Sequence, residues 1–244
     1  LGLAPSAVQR VLLTSTLPEA VGNVGLFAHA RVLGGGADPA RRRQQVRTLA
    51  LALAERQLAP TWSTAQVEAW WQVAAPVAPA GITPFRDGAL LIGDAVWSAF
   101  ATPGVAASGV SYERADAGWL FAGELATLAE DVLVDDLEAQ SNALGLLSQR
   151  PSALVLPARG APERDGRTAL RTLSLRAGNL MSNLPLLIKR PATLLDLWFA
   201  DNGWWPEHVV DAALSVARLD VALTELANAG LIRRSGAGLD ARLE

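Results

Sequence analysis

A carboxylate placed directly after a buried strand is a common way of holding a ligand, and one stretch of this chain has that form. Leu90-Leu91-Ile92 is a short, wholly apolar run, and Gly93-Asp94-Ala95 follows it. Read as a strand buried on both faces, the run brings Asp94 to the carboxyl edge of a sheet, where ligands of α/β proteins bind. Gly93 would let a ligand approach the backbone, and Asp94 would accept hydrogen bonds from sugar hydroxyls. Pro103-Gly104 then shapes a loop that reaches Gly109-Val110. From Val110 to Val134 the residues Tyr112, Ala115, Trp119, Ala122 and Leu125 fall on related faces, which predicts a helix. Its first amides would attract a negative group such as a phosphate.

Other chemistries have less to work with. The chain has no cysteine, which excludes thiolate ligands, disulfides and cysteine nucleophiles, and its two histidines, His29 and His208, stand far apart, which argues against a histidine-rich metal site. The acidic run Glu130, Asp131, Asp135, Asp136 and Glu138 reads as a solvated helix face, since no histidine joins it. The formal net charge of −3 gives no electrostatic footprint for nucleic acid. Trp62, Trp70 and Trp71 read as core, with a substrate cavity as the alternative; Trp198, Trp204 and Trp205 read as packing of the terminal helices, with a membrane- or partner-facing patch as the alternative.

The elements that position these groups follow from pattern. Half of the 244 residues are hydrophobic and 18% are charged, a globular rather than disordered composition. Val8–Thr16 and Val21–Val32 are β-branched and apolar and predict two strands with a tight connection. Asp38 and Pro39 open a helix running to Gln57, with Val46, Leu49, Leu53 and Ala54 at helical spacing. Ser63 and Gln66 form a capping box for a second helix. Residues 135–148 and 168–200 predict further helices, interrupted near Pro185 and Pro191. In 192–235, helices around Leu194–Ala200, from Pro206 and over Ala217–Ala229 precede Gly230-Leu231-Ile232-Arg233-Arg234, which reads as the start of a β-wing. No run of apolar residues is long enough to span a membrane, and a cytoplasmic location is expected.

The stretch 87–125 resembles the second FAD motif of flavoprotein monooxygenases related to p-hydroxybenzoate hydroxylase and of the geranylgeranyl reductase-like branch. Gly93-Asp94-Ala95, Pro103-Gly104, Gly109-Val110-Ser111 and Asp116-Ala117 carry the resemblance, and Thr16-Leu17-Pro18 through Asn23-Val24-Gly25-Leu26 extends it to the substrate domain of the reductase-like branch. The resemblance implies an FAD-dependent oxidoreductase, a monooxygenase or double-bond reductase acting on a small or apolar organic molecule with NAD(P)H as electron donor. In it Gly93 and Asp94 would meet the ribityl chain, Pro103 and Gly104 would line the isoalloxazine, and Gly109 and Val110 would offer amides to the flavin ring. The implied fold is α+β (mixed α/β): a partial FAD/NAD(P)-binding-type domain with antiparallel substrate-domain strands over 1–130, a helical connection over 131–190, and a helical, winged-helix-like module over 191–244. No Gly-x-Gly-x-x-Gly occurs and the chain starts at Leu1, so an upstream segment or a partner chain is expected to complete the FAD site. The alternative is a non-enzymatic regulator that binds DNA or a protein through the C-terminal module. Peripheral membrane contact is a further expectation.

Overall fold

The computed structural model describes residues 4–36, 40–74, 81–85, 87–127, 134–188, 190–202 and 206–244. Asp38, Pro39, Glu130, Asp131, Trp204 and Trp205, singled out above, lie outside them. The chain forms two units that do not follow its order: 1–39, 76–128 and 138–175 make the first, and 40–75, 129–137 and 176–244 the second.

The first unit is built on two sheets. Strands β1 (Arg10–Leu12), β2 (Arg31–Gly34) and β3 (Ile82–Pro84) form a parallel sheet in that order. Parallel neighbours need a crossover; between β1 and β2 it is the short helix α1 (Pro18–Val21) and a 3₁₀ turn over Val24–Phe27. The two segments expected as a tightly connected strand pair are therefore parallel, and most of 21–30 is not strand. Val11, Leu13, Val21, Val32 and Ile82 pack together on this sheet.

The second sheet runs β4 (Gly88–Ile92), β5 (Ala95–Ala101), β6 (Val110–Arg114), β7 (Trp119–Gly123) and β8 (Leu154–Pro157). Its pairs are antiparallel except β7–β8, which is parallel, and helix α4 (Leu137–Ser148) lies in that crossover. Leu12 and Phe85 pack on Ala99, Val110 and Tyr112, so the first sheet lies against the second. Helix α5 (Gly166–Leu187) then follows, with Pro185 near its end.

Three expectations fail here for one reason: strand pairing overrides local pattern. β4 is an edge strand with a largely exposed surface, not a strand buried on both faces. Gly93 and Asp94 are the two-residue turn of the β4–β5 hairpin, in which Ile92 pairs Ala95. Gly109-Val110 opens β6, not a helix, and 110–123 is two strands joined by a 3₁₀ turn at Ala115–Ala117. The FAD/NAD(P)-binding-type fold class is thereby corrected.

In the second unit, helices α2 (Ala40–Glu55), α3 (Thr64–Ala74), α6 (Leu194–Asn202) and α7 (Val209–Asn228) share one core with Val46, Leu53, Trp62, Trp198, Val216 and Leu223 at its centre. The Ser63 cap forms one arm only. Its Oγ accepts from the Gln66 amide at 3.4 Å, while the Gln66 side chain reaches the His208 ring at 3.2 Å and accepts from the Val209 amide at 3.3 Å. Trp62 and Trp198 stand 6.3 Å apart between ring centroids, and the Trp62 indole donates to Pro206 O at 2.8 Å. Trp198 is buried and contributes to no surface patch.

The winged-helix reading of 191–244, and the DNA-binding alternative with it, are corrected by this packing. Strands β9 (Ala192–Thr193), β10 (Arg234–Ser235) and β11 (Arg242–Leu243) form a small antiparallel sheet. The long helix that a DNA reader would lay in a groove instead lies along α2 and forms the core of the unit. Arg234 is bound to Asp220, which also accepts from Gln45 at 2.7 Å. No helix of the described residues is long and apolar enough to cross a membrane.

Candidate functional site

Several strand ends converge at one edge of the first unit. Past β1, the turn Thr14-Ser15-Thr16-Leu17 lies against the loop 102–109 that joins β5 to β6. The Val110 amide donates to Thr14 O at 2.8 Å, the Thr16 amide to Ser108 Oγ at 3.0 Å, and the Leu17 amide to Ser15 Oγ at 3.4 Å. Thr102 and Ser111 share a hydroxyl hydrogen bond at 3.0 Å, and the Tyr112 hydroxyl donates to Leu13 O at 3.1 Å. Burial pushes the Tyr112 phenol up to about 12, because the ionised form would be desolvated.

Past β7 the chain turns sharply at Gly123 (φ 59°, ψ −144°), where an added Cβ would lie 2.5 Å from Thr14 Oγ1. This turn brings Glu124 into the edge, with a side chain 8% exposed. Past β8 comes Arg159, and its Nη2 lies 3.3 Å from Glu124 Oε2. The β7 and β8 ends are joined by the Ala158 amide donating to Gly123 O at 3.0 Å. A buried carboxylate requires a cation or several donors, and a guanidinium from the neighbouring strand end supplies positive charge here.

A cavity of about 10 Å³ is lined by Thr14, Ser15, Thr102, Val105, Glu124 and Leu125, among others, which is room for about one water. Among the described residues Ser15 and Ser108 accept from amides and Thr102 pairs with Ser111, and neither His29 nor His208, the residue type that most often activates a serine or threonine, stands on these segments. Among the described residues no three His, Cys, Asp or Glu side chains lie together as metal ligands would.

The residues expected to bind a cofactor are split by this arrangement. Pro103, Gly104, Gly109 and Val110 are at the edge just described; Gly93 and Asp94 are at the far end of β5. Seven residues of strand separate the two groups, about 23 Å, so one ligand does not bridge them as expected. The glycines of the loop serve chain packing: a Cβ on Gly104 would collide with the Gln140 backbone, and one on Gly109 with Thr102 O. Ser15, Ser108, Glu124 and Arg159 do not stand out in the sequence. The available signal is Trp119-Leu120-Phe121-Ala122-Gly123-Glu124, an apolar run ending in glycine and a carboxylate, as in 90–94.

No protein-family model matches the chain, and no curated protein matches it. Solved structures do. It is similar to a metallo-β-lactamase family protein from Thermus thermophilus, with 22% identity, 99% of this chain and 81% of that chain covered, and a TM-score of 0.70. It is also similar to a β-lactamase domain protein from Burkholderia ambifaria, with 18% identity, 97% and 74% covered, and a TM-score of 0.74. These likenesses establish a metallo-β-lactamase-like fold and overturn the flavoprotein monooxygenase or reductase reading, along with FAD and NAD(P)H as its cofactors. The name of the first neighbour implies a metal. Zinc and iron sites take imidazole, thiolate and carboxylate ligands, usually three or more from the protein, and the hydroxyls, Val105, Glu124 and Arg159 at this edge do not fit one. The chain has the metallo-β-lactamase-like fold, and the described strand-end edge lacks the donors of a metal centre.

Proposed function

We propose that this chain is a metal-free binding protein on a metallo-β-lactamase-like fold, not a metal-dependent hydrolase, with a small molecule as its ligand and the cytoplasm as its location. The observation that carries the reading is the strand-end edge. Where catalysis by a metal would need several imidazole or carboxylate ligands and an open coordination position, the described residues place here serine hydroxyls that accept from backbone amides, a threonine–serine hydroxyl pair, and one carboxylate facing a guanidinium. The positive charge of Arg159 also opposes a second cation at the same carboxylate, since like charges a few ångströms apart repel.

The experiment is a hydrolysis assay of the purified protein on a β-lactam, a thioester and a phosphodiester, each with and without added zinc, manganese or ferrous iron. No turnover above the uncatalysed rate is expected under any condition. Metal-stimulated turnover that falls on Glu124→Gln would overturn the proposal and place a hydrolytic centre at this edge.

A further inference from the structure

We propose that the groove between the end of β5 and the end of α4 binds a small organic cation with an apolar body, a primary alkylammonium being the simplest form. The groove has a volume of about 490 Å³, within the range of small-molecule sites. Phe100, Ala143, Leu146, Leu147 and Pro151 supply apolar walls. Leu146 is 67% exposed, so a large apolar side chain borders open space that a hydrocarbon body would dry.

Among the described residues two charged side chains line the groove, Arg150 and Asp87, and their charges are not equally available. Arg150 is committed. Its Nε and Nη2 lie 2.7 and 2.6 Å from Glu113 Oε2, and the Glu113 side chain is only 2% exposed. The guanidinium also lies over the Phe100 ring, 4.1 Å from its centroid. Asp87 Oδ1 accepts from the Ala101 amide at 2.8 Å, while the charge of Asp87 has no cationic partner among the described residues.

Arg150 is matched by Glu113 behind the groove, so among the described residues the charge of Asp87 is left as a negative excess. A carboxylate ligand would have to compete with Glu113 for Arg150 and would face Asp87, a like charge. An ammonium meets the opposite situation. It donates to the second oxygen of Asp87 in a charge-assisted hydrogen bond, and its alkyl body covers Leu146 and Leu147. Charge complementarity thus selects cation over anion, and the apolar walls select an organic cation over a metal ion, which prefers oxygen ligands. This inference goes beyond the metal-free reading, since among the described residues only Thr102 lines both this groove and the strand-end cavity.

The test is a titration of the whole protein with hexylammonium, hexanol and hexanoate, followed by ¹⁵N–¹H NMR shifts. Hexylammonium is expected to shift the amides of Ala101, Thr102 and Gln149 and to bind about tenfold more tightly than hexanol or hexanoate. Asp87→Asn keeps a side-chain carbonyl for the Ala101 amide, so unchanged shifts elsewhere report an intact fold. It is expected to weaken hexylammonium about tenfold and to leave hexanol unaffected. Tighter binding of hexanoate, equal binding of all three, binding by none, or no effect of Asp87→Asn would each overturn the proposal.

Discussion

Two places in this chain have the same local text and opposite structural outcomes. Leu90-Leu91-Ile92-Gly93-Asp94 and Leu120-Phe121-Ala122-Gly123-Glu124 each end an apolar run in glycine and a carboxylate. Both glycines have positive φ, 65° at Gly93 and 59° at Gly123. At the first, the next strand folds straight back, and the pair becomes an exposed hairpin turn with open space around Gly93. At the second, the neighbour is a parallel strand reached through a long crossover, so the chain must leave the sheet at that point. Glu124 is carried into a buried edge and meets Arg159. The difference teaches that a carboxylate at a strand end marks a site only when the following connection is a crossover. A hairpin spends the same residues on the turn.

Substitutions should separate these two places sharply. The largest effect is expected at Gly123. Its φ and ψ are suited to glycine, and an added Cβ would press on Thr14 Cβ and Oγ1, both at 2.5 Å. Gly123→Ala should cost about 3 kcal/mol or more by urea denaturation. Gly93→Ala meets no neighbour and should cost about 1 kcal/mol, the strain of a left-handed turn residue alone. Equal losses at the two positions would break the comparison.

Alkaline titration gives the next test. Tyr112 is the chain's only tyrosine, so phenolate absorbance reports it alone. Its folded pKa is about 12 against an ordinary value of 10.0. Below pH 10 the phenol is protonated whether folded or unfolded, and its contribution to stability is fully present. As pH rises from 10 to 12 the unfolded chain loses the proton first, so stability falls. Phenolate absorbance should appear near pH 12 or together with unfolding; its appearance near pH 10 in folded protein would remove the buried position of Tyr112.

Arg159→Met should have a smaller effect. Breaking a fully buried ion pair costs several kcal/mol, but Arg159 is 49% exposed, so about 1–2 kcal/mol is expected. The same change with Glu124→Gln already present should cost less, which a double-mutant cycle measures. The smallest effect is expected for Asp94→Ala at the exposed turn, where the melting temperature should not move.

The helices of the second unit are readable in the sequence because their signals are local. Val46, Leu49 and Leu53 do form the buried face of α2, and Ser63 does cap α3. The strands β6 and β7 are hidden by coincidence: Tyr112, Ala115, Trp119, Ala122 and Leu125 happen to fall at helical spacing. Four consecutive residues of β6, Val110 to Glu113, are buried, so the alternation that betrays a half-buried strand is absent. The pairing Leu120↔Val155 that creates the strand-end edge is separated by more than thirty residues, beyond the reach of any window. Gly118 and Gly123, which break the apparent helix, are the local signal that the helical spacing masks. The low histidine count is legible, but its significance emerges only once the fold is known.

The most direct test of the central claim is metal content. Protein expressed with zinc and iron in the medium, purified without chelator and measured by mass spectrometry, should carry neither metal in stoichiometric amount. Its melting temperature should be the same with added zinc and with EDTA, since an ion that binds only the folded state would raise it. One or two ions per chain, lost together with stability on chelation, would contradict the account and return this edge to metal chemistry.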